Sequence, residues 1–436
     1  MNKRGAMVKR RLAPAAVILT AFLLADLLPS RASAIESYSA LVFSDSIGVN
    51  SVLSETTSPS RYDAAKDALK EIGIVNHRAK VTPFNVGRAR DLFQCCGIRT
   101  LARIDVRAGG GKIGKADPSK ISHELDTALS IGTEALVGIE GPNEYTALQH
   151  GPGWDDDLRV YTERLWYEVK RRNLSQAVVG PTIYLRSLDD IKKLGNIGDA
   201  INASNFHIYT SGNEPSFRMD EWLADARLMA PGEPVWVTEF GYHNTMQEPE
   251  TNPVSELAAA KYLPRFIALY FSRSPKGKFF IYELINSGTN PRDREHNLGI
   301  MRADLSKKPA FYTIKRMISA VKSGSTPIVP RDLAVQINGE TPNLQQLLLQ
   351  KSANEYALLL WQEVKSWDSG AQRELEIAGK PVTVSLPTNA TFTLQDTLPF
   401  ENDPARDASP TLFGGPRRSV TFDVPDHIVV LQIKLS

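Results

Sequence analysis

The stretch Ile139-Glu140-Gly141-Pro142-Asn143-Glu144-Tyr145 decides how the chain is read. The apolar run before it, residues 135–139, reads as a strand buried on both faces. Gly141-Pro142 then stops ladder pairing, so Asn143 and Glu144 sit at the strand's C-terminal end. A carboxylate there is costly unless it is paired or used. A second stretch has the same form: Val235-Trp236-Val237-Thr238-Glu239-Phe240-Gly241-Tyr242 is a short apolar strand ending in Glu and then Gly. Two carboxylates at two strand ends point to an acid/base pair facing across one site.

Outward from these two strands the same unit repeats. Strands are predicted at 46–50, 74–81, 98–104, 135–140, 176–184, 203–209, 234–239 and 278–285. Amphipathic helices alternate with them at 61–72, 85–96, 118–129, 158–171, 188–194, 219–229, 255–271 and 309–321. Eight alternating pairs are the count of a (β/α)8 TIM barrel, placed at 46–322. A doubly wound open sheet would carry a Gly-rich nucleotide turn after its first strand, and Gly48-Val49-Asn50-Ser51 is not one. Helical periodicity then disappears. Short strands at 355–361, 382–386, 390–394, 419–424 and 428–433 predict a C-terminal all-β sandwich over 323–436, with a Pro-, Asp- and Gly-rich loop at 401–416. Residues 38–43 within the segment 35–45 read as an N-terminal strand, pairing with the sandwich or sealing the barrel floor.

Residues 1–34 form a separate unit. A basic start (Lys3, Arg4, Lys9, Arg10, Arg11), an apolar run at 12–28 and Ala32-Ser33-Ala34 have the layout of a secretory signal peptide. Asp26 interrupts the run and argues against a membrane span. The expectation is a secreted chain, periplasmic or extracellular, with no membrane span once the peptide is removed. The segment carries six Lys/Arg and one Asp, so its removal turns a formal net charge of +2 into −3. That balance gives no reason to expect a nucleic-acid partner.

The only cysteines, Cys95 and Cys96, are adjacent and cannot staple a loop. They read as small residues packing a helix end before Gly97. No CxxC or HExxH pattern and no P-loop is present, so neither a metal nor a cofactor is expected.

With both glutamates on the strands named, the chain resembles the retaining glycoside hydrolases of clan A. Gly141-Pro142-Asn143-Glu144 and Thr238-Glu239-Phe240-Gly241-Tyr242 carry the resemblance, which runs through the barrel. It implies that Glu144 is the general acid/base, Glu239 the nucleophile and a carbohydrate the substrate. Arg78 matches the strand-two arginine, and His207 and Tyr209 match the strand-six His/Tyr position. Asn143, Tyr242, Tyr282 and Glu283 are further expected substrate contacts. Tyr282-Glu283 stands where many members carry Trp, which departs from the family pattern. On the residues alone, Arg78 could instead partner Glu140, and Tyr145, Trp154, Tyr184 and His243 could stack on sugar or simply pack. A non-catalytic glycan-binding barrel and a transglycosylase using the same glutamates are the competing functions.

Overall fold

A computed structural model describes residues 34–51, 58–107, 114–147, 151–339, 342–400 and 403–436. The expected signal peptide lies outside these residues except for Ala34. No helix among the described residues is long and apolar enough to cross a membrane.

Eight parallel strands form the barrel: β1 (Ile47–Asn50), β2 (Asn76–Ala79), β3 (Arg99–Arg103), β4 (Leu136–Glu140), β5 (Ala177–Val179), β6 (Ser204–Ile208), β7 (Val235–Phe240) and β8 (Phe279–Ile281). They follow one another in order, and β8 pairs with β1. A bridge between Val179 and Ala203 joins β5 to β6 and closes the ring. All but β7 are shorter than the stretches read from the sequence, and β7 is shifted by one residue. Leu101, Val179, Trp236 and Phe280 of β3, β5, β7 and β8, with Ala203 just before β6, pack together in one buried cluster. Gly48 makes this packing possible: a Cβ there would lie 2.3 Å from the Phe280 ring.

β7 is irregular against both neighbours. Phe206 and His207 of β6 oppose Val237 and Glu239, and Phe279 and Ile281 of β8 oppose Val237 and Phe240. One residue of β7 is therefore extra on each side, which is a bulge. A regular strand would point Thr238 and Glu239 to opposite faces. Here both side chains reach groups within the barrel end.

The C-terminal sheet folds over on itself through one long strand, Lys380–Asp396. Its first half pairs with Gln336–Asn338 and Arg417–Val424, and its second half with Val429–Leu435. The register breaks between Ser385 and Ala390, where the strand passes from one layer to the other. Within the expected loop at 401–416, Thr411–Leu412 pairs with Thr393 and Leu394. The N-terminal segment corrects the sequence reading in part. Ser37–Ser39 is a strand and pairs with Leu348–Gln350 of the β domain, one of the two alternatives read from the sequence. Ala40–Ser46 is a helix, because Ser39 Oγ accepts the Val42 N–H and caps it. Cys95 and Cys96 also differ from expectation: they are bonded to each other at the end of the helix Val86–Cys96.

Candidate active site

The site is assembled at the C-terminal ends of the strands around one arginine. Arg78, on β2, is 3% exposed. Its Nε and Nη2 donate to the two oxygens of Glu140, at 2.5 and 2.8 Å. Its Nη1 donates to Glu239 Oε1 at 2.7 Å and to Asn50 Oδ1 at 2.9 Å. Nη2 also reaches Asn143 Oδ1 at 2.5 Å. Arg78 thus serves Glu140 and Glu239 together, and the two sequence alternatives for it are both realised. Burial opposes its charge, but Glu140 and Glu239 outweigh burial and hold it protonated above its ordinary range.

Glu140, fully buried at the end of β4, anchors this network. It also accepts from Asn205 Nδ2 at 2.9 Å and Thr238 Oγ1 at 3.1 Å. The paired charge and these added donors satisfy what would otherwise be a costly buried anion.

Glu239 accepts from Arg78 on Oε1 and from the Tyr209 hydroxyl on Oε2, at 2.9 Å. Burial pushes its carboxyl up, but His207, Arg78 and the Tyr209 hydrogen bond together pull it below the usual carboxylate range. The Tyr209 hydroxyl is pushed well above its ordinary value, first by burial and then by Glu239, so it stays a donor.

Glu144 is held differently. It follows β4 in a left-handed conformation, φ 44°. Such a backbone is uncommon outside glycine and persists only when its surroundings fix it. Thr182 does so: its Oγ1 accepts the Glu144 N–H at 2.7 Å, and its carbonyl accepts the Tyr145 N–H at 3.0 Å. The Glu144 carboxylate then meets His207, with Nδ1 3.0 Å from Oε1. His207 Nε2 lies 3.2 Å from Thr238 Oγ1. The Thr238 proton faces Asn205 Oδ1 and Glu140 Oε1, so Thr238 accepts from Nε2, which carries a proton. One proton therefore lies between His207 Nδ1 and Glu144. Carboxylate oxygens of Glu144 and Glu239 and a ring nitrogen of His207 all lie within 4.8 Å of one another. Such a trio could in principle ligate a cation, but both Glu239 oxygens already accept from Arg78 and Tyr209.

Of the expected substrate contacts, Asn143, His207, Tyr209 and Tyr282 are brought together. The Tyr282 ring meets Tyr209 edge-on, with centroids 6.5 Å apart. Two others are enclosed. Tyr242 packs on Tyr262, accepts from Thr210 Oγ1 and donates to the Asn213 carbonyl. Glu283 is 2% exposed, and its Oε1 finds no hydrogen-bond partner among the described residues. Tyr145 and His243 are also buried, whereas Tyr184 is exposed in the loop after β5. The sequence reading missed Asn205, Thr182 and Arg103. Asn205 was detectable, since it sits two residues before His207 on the same strand face. Arg103 ends β3, and its Nη1 lies 3.4 Å from Asn143 Oδ1.

No protein-family profile and no curated protein matches this chain. Solved structures do match its fold. A family 39 glycoside hydrolase from Bacteroides cellulosilyticus superposes with a TM-score of 0.58 at 15% identity, over 92% of this chain and 82% of that one. A glucosidase from Croceicoccus marinus gives 0.60 at 12% identity, over 93% and 98% of the two chains. A monomeric beta-xylosidase from Caulobacter crescentus gives 0.58 at 12%, over 92% and 98%. The fold, a TIM barrel followed by a β-sandwich, is therefore shared with these glycosidases across nearly the whole described chain.

Proposed function

We propose that the chain is a retaining β-glycoside hydrolase acting on an oligo- or polysaccharide, exported by its N-terminal peptide. The observation that carries this is the pairing of Glu144 and Glu239 at short range with opposite support. His207, Arg78 and Tyr209 together hold the Glu239 carboxyl below the usual carboxylate range, and Glu144 is hydrogen-bonded to His207 Nδ1. Retaining enzymes hold their carboxyl groups about 5–5.5 Å apart, whereas inverting enzymes leave about 6.5–9.5 Å for a water. The close approach of these oxygens favours retention.

The chemistry follows from the roles. A Glu239 oxygen attacks the anomeric carbon while Glu144 gives its proton to the departing glycosidic oxygen, and a covalent glycosyl-enzyme forms. Glu144, now a carboxylate, takes a proton from water, whose oxygen displaces Glu239 from the anomeric carbon. The sugar leaves with its original configuration, and Glu144 is again protonated. Asn143 lies beside the acid, where it can meet a sugar hydroxyl. No residue role here needs a cofactor.

The test is anomer-resolved NMR during hydrolysis of β-linked glucan, mannan, xylan and galactan oligosaccharides. The expected first product is the β-anomer. An α-anomer as first product would refute the double displacement.

A further inference from the structure

Beside the catalytic pair lies a cleft of about 650 Å³, walled by the loops after β5 and β6 on one side and by residues 365–375 of the β domain on the other. Tyr209, whose hydroxyl bonds Glu239, is among the residues lining it, so the cleft adjoins the site. Its charges are unequal. Arg186, Arg218 and Lys365 contribute cations, and Asp368 is the acid among the lining residues. Arg218 is ion-paired with Glu221, and Asp368 accepts the N–H groups of Gly370 and Ala371.

Arg186 is the unusual member. It makes no ion pair with a carboxylate among the described residues. Its Nη1 donates to the His207 carbonyl at 3.2 Å, its Nε is enclosed without a partner, and its guanidinium stacks 4.2 Å above the Trp222 ring. A half-buried cation without a carboxylate partner, with the Arg218 cation over the same Trp222 ring, costs free energy. The backbone holding it is strained as well: Leu185 and Arg186 are both left-handed, at φ 51° and 54°. Lys365, exposed across the cleft, makes no ion pair among the described residues either.

We infer that this cleft is a subsite for an anionic sugar residue of the glycan, one bearing a carboxylate or a sulfate, with Arg186 and Lys365 as its charge partners. This rests on the hydrolase reading for the identity of the ligand as a glycan. Tyr209 and Phe217 supply ring surface for the sugar, while the cations select its acidic group. The two domains would then share the specificity, with the barrel supplying the reacting groups and the β domain one wall of the subsite.

The test is binding of the full chain as Glu239→Gln to an array of uronate-bearing glycans, their carboxyl-reduced counterparts, and sulfated and neutral glycans. Acidic glycans should bind at least tenfold more tightly than reduced ones and weaken with added NaCl. Uronate and sulfate arms separate the two acidic chemistries. Arg186→Gln and Lys365→Met should each abolish most of the preference, and Arg186→Lys should restore part of it. Lys365 is exposed, so its substitution leaves the fold intact if Arg186→Gln does not. Equal binding of acidic and reduced glycans, binding to none, or a preference unchanged by Lys365→Met would each overturn the inference. Turnover is scored separately, with Glu239 intact. Turnover of acidic glycans indifferent to both substitutions sinks the subsite and keeps the hydrolase. Selective binding of acidic glycans without turnover of any does the reverse.

Discussion

Arg78 carries more of the site than either glutamate does alone. It is hydrogen-bonded to Glu140 and Glu239 at once. Removing one partner of a buried ionic network leaves an uncompensated charge and costs about 3–5 kcal/mol. Arg78→Met should therefore destabilise the fold by that order and lower kcat by roughly a thousandfold, a transition-state loss of about 4 kcal/mol. Chemical denaturation and steady-state kinetics check both parts. An active, stable Arg78→Met protein would contradict the network's role. Glu283 makes a second residue-scale prediction. Burial pushes its carboxyl from 4.5 to about 8. Between those values the folded state holds a proton that the unfolded state has released. Stability from this group is thus intact below 4.5 and is lost as pH rises through about 8. Glu283→Gln removes the titration, so the stability difference between pH 5 and pH 8.5 should shrink, by on the order of a few kcal/mol. Urea melts at the two pH values read it, and an unchanged difference would show that Glu283 does not titrate there.

At the scale of elements, two local irregularities aim Glu144 and Glu239. The β7 bulge turns Thr238 and Glu239 inward together, and Thr182 holds Glu144 in its left-handed conformation. Thr182→Val keeps the shape but removes the acceptor, so Glu144 should lose its placement. The expected result is a kcat fall of roughly 10–100-fold with KM little changed, most severe for substrates with poor leaving groups. A fall confined to KM would contradict this. These irregularities also mark where the sequence stops being legible. The barrel strands could be read because parallel strands buried on both faces are continuous apolar runs. The positions of Glu144, Glu239, His207 and Tyr209 at strand ends could be read because they end such runs. The bulge could not, since it depends on how three strands pair. Without it the Thr238 contacts to Glu140, Asn205 and His207 are invisible. The helix at Ala40–Ser46 was misread because a short apolar run fits either period, and the Ser39 cap decides it. The enclosure of Tyr242 and Glu283 was hidden for a related reason: it comes from neighbours distant in sequence.

At the scale of the whole molecule, the barrel and the β domain share one core. Leu347, Leu359, Trp361, Trp367 and Val430 of the β domain belong to the same buried cluster as the barrel helices. Arg265, on the barrel helix Glu256–Arg273, is fully buried at this junction. It donates to Glu363, Ser366 and the Val364 and Asp426 carbonyls. Lys261 pairs with Asp426 beside it. A shared core and buried ion pairs predict that the two parts unfold in one transition. Arg265→Ala should cost about 3–5 kcal/mol and lower both domains' melting together, as seen by calorimetry and by tryptophan fluorescence. Two separate transitions in the parent protein would contradict the shared core. The cationic cleft lies along this same junction, so the proposed specificity would depend on domain docking.

The central claim is that Glu239 is the nucleophile and Glu144 the acid/base, and azide rescue tests it most directly. With an activated aryl β-glycoside, Glu144→Ala should still form the glycosyl-enzyme, since a good leaving group hardly needs the proton. Breakdown should be slow without the base. Azide needs no base, so it should restore turnover and give the β-glycosyl azide. Glu239→Ala with azide should give the α-glycosyl azide, because the ion takes the nucleophile's place. Products of the opposite configurations would exchange the two roles, and rescue of neither variant would show that this pair is not the catalytic one.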